Sequence, residues 1–219
     1  MVPAWHPAAL IALMLLVSAT GSLLSARHSA LQVAHGSLIL RAYVPLLLVN
    51  WGLLVYVCRA GRARFVFSEL VRSGAYTPSR ALTDVALACC AASLLLGGEI
   101  LWQWAFGSVR NAAAEALLPS TFLERAVWCL VALSAGVSEE LVYRGYLSTE
   151  LTRFTASRAG GVFGQALLFA LAHGEQGGAA MLRFFVYAVG LGVLARARRS
   201  LVPGMLAHVG LDLMAGLAH

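Results

Sequence analysis

The feature that most constrains this chain is a succession of long apolar stretches separated by short polar gaps. Most of these stretches approach the roughly 20 residues that an α-helix needs to cross the hydrocarbon of a bilayer. Hydrophobic residues make up 60% of the 219-residue sequence and charged residues 12%, against about 45–50% and about 25% in soluble domains. These proportions exclude an ordinary soluble globule, a disordered tail and a fibrous repeat. The sequence predicts an all-α, polytopic bundle of about seven transmembrane helices.

The apolar stretches follow one another without an internal repeat or a low-complexity linker. The whole chain, residues 1–219, is therefore expected to form a single integral membrane domain. Between the second and third helices, residues 65–76 are expected to form a short amphipathic helix in the membrane interface. The expected membrane-spanning segments are residues 7–26, 38–58, 81–106, 122–152, 159–173, 179–195 and 201–218.

The 16 basic residues are all arginines, and most lie at one end of the predicted helices. With the N-terminus in the cytoplasm, the inner loops hold ten arginines and the outer loops five, while Arg144 lies inside a span. This bias predicts a multi-pass protein of the plasma (inner) membrane with a cytoplasmic N-terminus. Because the arginines lie between apolar stretches, the net charge of +6 indicates membrane orientation, and no nucleic-acid partner is expected.

The fourth predicted span contains charged residues at a depth where charge is costly. One charged side chain near the bilayer centre costs about 2.5–3.5 kcal/mol on insertion scales. Glu140 and Arg144 are four residues apart on one helical face, so they are expected to form an ion pair. Glu139 points about 100° away, beside Tyr143, with no arginine at the matching spacing. The pattern predicts a structural role for Glu140 and leaves Glu139 available for chemistry.

Two further polar pairs lie in later spans, each at a spacing of four residues. His173 shares a helical face with Phe169, and His208 shares one with Asp212. The carboxylate of Asp212 is expected to accept a hydrogen bond from His208 and to fix its tautomer.

The depth of these residues is set by the connection between the fourth and fifth spans. Glu139 and His173 lie 17 residues on either side of residue 156. A helical hairpin at that point would place them at one level, roughly 25 Å from the turn. His208 follows Arg199 by nine residues, so a shared cavity is expected to open towards that end of the helices. A carboxylate and two imidazoles converging within a bilayer form an arrangement that can activate water.

The motifs Glu-Glu-x-x-x-Arg, Phe-x-x-x-His and His-x-x-x-Asp, in this order on successive spans, resemble those of the CPBP intramembrane proteases. That family includes the type II CAAX prenyl endopeptidases and the bacterial Abi, bacteriocin-processing proteins. The resemblance covers residues 122–218, the expected catalytic core, whereas residues 1–121 carry no recognised motif. It implies an intramembrane endopeptidase. The expected catalytic residues are Glu139, His173, His208 and Asp212, with support from Glu140, Arg144, Phe169 and Tyr143.

Asp212 departs from the prenyl endopeptidases, which have Asn at this position. An amide can donate a hydrogen bond to a developing oxyanion, and an ionised Asp cannot. Asp212 is therefore expected to orient His208 or to help hold a cation. Two mechanisms stay open: the resemblance favours a water activated by Glu139 and His173 without any cofactor, whereas three of Glu139, His173, His208 and Asp212 could instead bind zinc.

Other functions are weighed against the protease. The sequence contains neither His-Glu-x-x-His nor Gly-x-Ser-x-Gly, which excludes a zincin and a serine nucleophile of that type. A proton-coupled transporter would predict inverted repeats and broken helices, and neither is found. A catalytically silent membrane scaffold or immunity protein on the same fold is the main alternative. The expected substrate is a membrane-associated protein or peptide: a CAAX-like terminus, a bacteriocin leader or, as for myxosortase-like members, a C-terminal sorting helix.

Overall fold

The computed structural model describes residues 3–28, 37–59, 77–107 and 115–218, with the backbone alone for residues 21–28. Within these ranges the chain forms seven helices and a short 3-10 turn, and contains no strand. The predicted all-α bundle is therefore confirmed. The helices are α1 (Trp5–His28), α2 (Ile39–Arg59), α3 (Pro78–Phe106), α4 (Phe122–Thr155), α5 (Arg158–Ala172), α6 (Gly178–Arg198) and α7 (Val202–Leu217).

Four of these helices, α2, α3, α4 and α6, are long and apolar enough to cross a membrane, and α1, α5 and α7 contain shorter apolar segments. Helix α4 has 34 residues. At 1.5 Å per residue it is about 51 Å long, well beyond the ~30 Å hydrocarbon core, so at least one of its ends extends past that core. The chain is a multi-pass membrane protein.

The helices begin and end within three residues of the predicted spans, and polar capping residues mark the starts of α3 and α4. Thr77 accepts a hydrogen bond from the Arg80 amide and so starts α3 before the apolar stretch begins. Thr121 and Glu124 form a capping box at the start of α4. The predicted interfacial helix at residues 65–76 lies outside the described residues.

Two tight turns lie at the same end of the bundle, which we call the turn end. Ala156 joins α4 to α5 and Arg199 joins α6 to α7, each with a φ of 52°. Beside these turns, Arg198 Nε donates to Asp84 Oδ1 at 2.7 Å and ties α6 to α3. Arg196 donates to the backbone oxygen and the hydroxyl of Ser148 and ties α6 to α4. The predicted helical hairpin around residue 156 is present.

Helix α4 changes form in its middle. Residues Glu140–Leu147 form a π-helix whose side chains are all buried, a local widening that is common at functional sites. Helix α1 covers this segment, because the ring of His6 lies 2.7 Å (Nδ1 to hydroxyl oxygen) from Tyr146. Further along α1, the Ser18 hydroxyl donates to the backbone oxygen of Leu171 at 2.7 Å. Helix α1 is thus joined by hydrogen bonds to both α4 and α5.

Glycines allow α4 and α7 to pack unusually closely as antiparallel neighbours. A Cβ at Gly136 would overlap the side chain of Val209, and a Cβ at Gly216 would overlap the indole of Trp128. Small residues bring transmembrane helices together in this way. The close approach places one face of α7 directly against the glutamates of α4.

Candidate active site

Two adjacent glutamates of α4 meet one histidine of α7. The Nδ1 atom of His208 lies 3.2 Å from Oε1 of Glu140, and its Nε2 atom lies 3.9 Å from Oε2 of Glu139. An ionised carboxylate can only accept, so Nδ1 of His208 donates to Glu140 and the orientation of the ring is set. The Nε2 atom consequently faces Glu139.

The hydrogen bond that Asp212 was expected to accept from His208 is not formed. The distance from Nε2 of His208 to Oδ2 of Asp212 is 3.7 Å, beyond hydrogen-bond range. The ring is held instead by Glu140 on the neighbouring helix. The backbone oxygen of Asp212 accepts a 2.8 Å hydrogen bond from Nε1 of Trp128, and its side chain is 34% exposed. Residue spacing within α7 could not reveal that the hydrogen-bond partner of His208 lies on another helix.

The predicted ion pair between Glu140 and Arg144 is present and almost wholly buried. Nη1 of Arg144 lies 3.2 Å from Oε1 of Glu140, with side-chain exposures of 1% and 0%. Cζ of Arg144 also lies 4.4 Å from the centre of the Phe169 ring, a cation–π contact. The structure therefore brings the Phe169 ring against the buried guanidinium.

His173 ends α5 and offers one free ring nitrogen. Its Nδ1 atom lies 2.8 Å from the backbone oxygen of Phe169, and because a carbonyl only accepts, Nδ1 is the donor. In the neutral ring, Nε2 is then an acceptor. The imidazole is packed between the rings of Phe169 and Phe184, with centroid distances of 4.6 and 4.4 Å.

Glu139 and His173 line one cavity, which we call cavity A. Its volume is about 410 Å³, within the ~300–1,000 Å³ typical of ligand pockets. Tyr143 and Asp212 also line it, and the rest of its wall is largely apolar and comes partly from α1 and α2. The Glu139 side chain is 18% exposed, and in the described part of the chain no ion pair joins it to His173. The arrangement leaves both groups accessible to a small molecule in the cavity.

A second cavity, cavity B, lies between α3, α6 and α7. It has a volume of about 380 Å³ and shares Asp212 with cavity A. Arg144, Phe169 and His208 line it on the side of the site. The candidate site therefore lies between two cavities, each large enough for a short peptide segment.

Both cavities lie away from the turn end, contrary to the expectation that a shared cavity opens towards Arg199. Their linings come from the later residues of α3, α5 and α7, from the earlier residues of α6 and from the middle of α2. These parts of the helices lie near the end of the bundle opposite Ala156 and Arg199. The expectation was wrong because it used sequence distance from Arg199 alone, and His208 Nε2 points towards Asp212, one turn further from that end.

Within the described ranges, no group of three His, Cys, Asp or Glu side chains is arranged to hold a metal ion. The role of zinc stays a prediction, as do the roles assigned to the individual site residues.

The sequence analysis did not identify the uncharged residues that shape the site. A Cβ at Gly204 would lie 2.9 Å from Oε2 of Glu140, so any larger residue there would require this carboxylate to shift. Gly204, His208, Asp212 and Gly216 recur at intervals of four along α7. Because this interval keeps residues on one helical face, it could have identified the surface that packs against α4.

Comparisons with known proteins find one family match. Residues 121–214 match the family model described as type II CAAX prenyl endopeptidase Rce1-like. No curated protein and no solved structure matches the chain. The matched segment contains α4 to α6 and most of α7, and it includes every residue of the predicted catalytic set. Over residues 121–214 the chain is similar to the Rce1-like type II CAAX prenyl endopeptidase family.

Proposed function

We propose that this protein is an intramembrane endopeptidase that hydrolyses a peptide bond of a membrane-associated protein or peptide. Similarity to the Rce1-like family over residues 121–214 supports a protease. The observation that carries the proposal is the shared lining of cavity A by Glu139 and His173, each with acceptor atoms that can meet a water molecule. An apolar wall around these groups keeps bulk water away and strengthens their electrostatic interactions.

In the proposed reaction, Glu139 is the general base. Its carboxylate takes a proton from a water whose other hydrogen is held by Nε2 of His173. The water oxygen then bonds to the carbonyl carbon of the substrate, and the carbonyl π electrons move to the oxygen. When this intermediate collapses, the carbon–nitrogen bond breaks and the proton on Glu139 passes to the departing amine.

His208 is proposed to stabilise the oxyanion of the intermediate. Its Nδ1 atom donates to Glu140, so a proton on Nε2 is needed before that atom can donate to substrate. Such a ring is cationic, and the carboxylates of Glu139, Glu140 and Asp212 lie within 4 Å of it to balance the charge. Asp212 can only accept while ionised, so we assign it to charge balance. Glu140 and Arg144 position His208.

We propose that residues 122–218 form the catalytic core and that residues 1–121 complete it within one membrane domain. Helices α1 and α2 supply most of the apolar wall of cavity A. The hydrogen bonds of His6 to Tyr146 and of Ser18 to Leu171 support a fixed position for α1 on that core.

We favour a mechanism without a cofactor, because Glu139 and His173 suffice to hold and deprotonate a water. The alternative is a zinc ion bound by three of Glu139, His173, His208 and Asp212, which would polarise the water as a Lewis acid. The two mechanisms differ in their response to chelators and to an amide at position 212.

The distribution of arginines supports a cytoplasmic turn end and a cytoplasmic N-terminus in the plasma membrane. Cavities A and B then lie nearer the outer face. We propose that the substrate is cut close to that face, which favours the C-terminal sorting helix of an exported protein over a CAAX-like terminus in the cytoplasm.

The function is tested by mapping protein termini in membranes of a strain that lacks the protein, with and without the wild-type gene restored. The proposal predicts new termini that appear only when the gene is restored. As a control, Arg125→Gln changes an exposed arginine outside both cavities and should restore the same termini. Identical termini in all strains would overturn the proposal and favour the silent scaffold or immunity protein.

A further inference from the structure

Cavity B has a polar group on the part of its wall that α3 and α6 form. Oε1 of Glu99 pairs with Nη1 of Arg183 at 2.5 Å and accepts from Nε2 of Gln103 at 2.9 Å. Oε2 of Glu99 accepts from the hydroxyl of Tyr187 at 3.1 Å. Glu99 lies on α3, whereas Arg183 and Tyr187 lie one turn apart on α6, so this group joins two transmembrane helices at the wall of the cavity.

The hydrogen bonds of this group leave donors in excess. Both oxygens of Glu99 are already engaged. Arg183 uses only Nη1 within the described part of the chain, which leaves Nε and Nη2 without an acceptor. These two atoms form one edge of the guanidinium, the edge that matches the two oxygens of a carboxylate. The Arg183 side chain is 18% exposed, so a ligand in the cavity can reach it.

A second arginine of cavity B shows the same excess. Nε, Nη1 and Nη2 of Arg144 are buried and have no hydrogen-bond partner, although Nη1 lies 3.2 Å from Glu140 in the ion pair. The Arg144 side chain is 1% exposed and lines the cavity beside His208. Unpaired buried donors are costly, and Arg144 adds a buried positive charge behind this side of cavity B.

Between the two arginines the wall of cavity B is apolar. Leu95, Leu191, Leu211 and Phe184 line it. The cavity therefore suits a short peptide segment with apolar side chains and a negative charge that can reach Arg183.

We propose that cavity B binds a carboxylate of the substrate and that Arg183 is the residue that recognises it. The proposal rests on the endopeptidase function proposed above and names a specificity determinant for it. The carboxylate comes either from the end of the substrate chain or from an Asp or Glu side chain close to the cleaved bond. Glu99 and Tyr187 orient Arg183 and do not themselves contact the carboxylate.

The test measures binding rather than cleavage, so that it does not depend on the catalytic assignment. The probes are acetyl-Ala-Leu-Leu with a free carboxylate, its carboxamide, and acetyl-Asp-Leu-Leu carboxamide, each titrated into the full-length protein in neutral detergent. A bidentate, charge-assisted contact predicts a Kd about tenfold lower for a carboxylate probe than for acetyl-Ala-Leu-Leu carboxamide. The better of the two carboxylate probes identifies the source of the group.

In Arg183→Gln the carboxylate and carboxamide probes are expected to bind with about equal affinity. Arg183→Lys is expected to restore part of the preference for carboxylate, because Lys keeps the positive charge but cannot form the bidentate contact. If Arg183→Gln folds poorly, the double variant Glu99→Gln with Arg183→Gln replaces it, since two amides can still hydrogen-bond. Arg125→Gln is the matched control and should keep the full preference.

Equal affinity of the wild-type protein for carboxylate and carboxamide probes would overturn the proposal. The proposal would also be overturned if the preference for a carboxylate survived in Arg183→Gln. It would likewise be overturned if phosphatidylglycerol displaced the carboxylate probe equally well from the wild type and from Arg183→Gln. Glu139→Gln is expected to bind the probes as the wild type does. Carboxylate binding through Arg183 in a protein that cleaves nothing would support the subsite and refute the endopeptidase function.

Discussion

The carboxylate of Glu140 lies 3.2 Å from Nδ1 of His208, across the contact between α4 and α7. The same oxygen, Oε1, lies 3.2 Å from Nη1 of Arg144. One buried carboxylate thus holds both a buried cation and a candidate catalytic ring. The neighbouring Glu139 makes no such buried ion pair with an arginine in the described structure and faces cavity A. The two adjacent glutamates are therefore expected to respond differently to the same substitution.

Glu140→Gln is expected to destabilise the protein as well as to inactivate it. It leaves Arg144 buried without its counter-charge, and breaking a buried ion pair typically costs about 3–5 kcal/mol. Expression and Tm in detergent should both fall, with Glu139→Gln as the matched control that keeps its Tm. A Glu140→Gln protein as stable as the parent would show that the ion pair does not stabilise the fold.

Gly204→Ala is expected to reduce activity by displacing Glu140. The added Cβ would lie 2.9 Å from Oε2 of Glu140, which must move and carry His208 with it. Overpacking of this kind costs about 1–3 kcal/mol. The control is Gly210→Ala on the same helix, where a Cβ meets nothing within 4 Å. The two variants should differ in kcat and Tm, and indistinguishable values would show that the space at Gly204 is not needed.

Much of the fold was predictable because it depends on local features of the sequence. The apolar stretches indicate the helices, and the interval of four residues indicates the pair of Glu140 with Arg144. What could not be predicted depends on contacts between helices. The partner of His208 comes from α4 rather than from Asp212, and the pairing of Glu99 with Arg183 joins two helices that are distant in sequence. The π-helix at Glu140–Leu147 has no signal in apolar periodicity.

Asp212→Asn distinguishes the two proposed mechanisms. Without a metal, activity should be kept or raised, because an amide can donate to an oxyanion while Glu139 and Glu140 still balance the charge of His208. Activity should also survive EDTA and 1,10-phenanthroline, and elemental analysis should find far less than one zinc per chain. If zinc is bound and Asp212 hydrogen-bonds to one of its ligands, the substitution should lower the zinc affinity about 10–100-fold. Near-stoichiometric zinc, with chelator-sensitive activity that added zinc restores, would refute the cofactor-free mechanism.

The orientation in the membrane predicts the behaviour of reporter fusions. Alkaline phosphatase fused after Leu217 should be active, because the arginine distribution places that end of α7 outside the cytoplasm. The same enzyme inserted at Ala156, in the turn between α4 and α5, should be inactive. The opposite pair of results would place both cavities nearer the cytoplasmic face and would remove the argument for an exported substrate.

The cleavage rate of the Glu139→Gln variant is the most direct test of the central claim that Glu139 is the general base. The wild-type protein and the variant are reconstituted in liposomes with a substrate identified by terminus mapping, and product formation is followed over time. The amide keeps the shape of the side chain and loses the basic oxygen, so the rate should fall by about 10²–10⁴-fold while Tm stays that of the parent. A cleavage rate equal to that of the wild type would contradict the account.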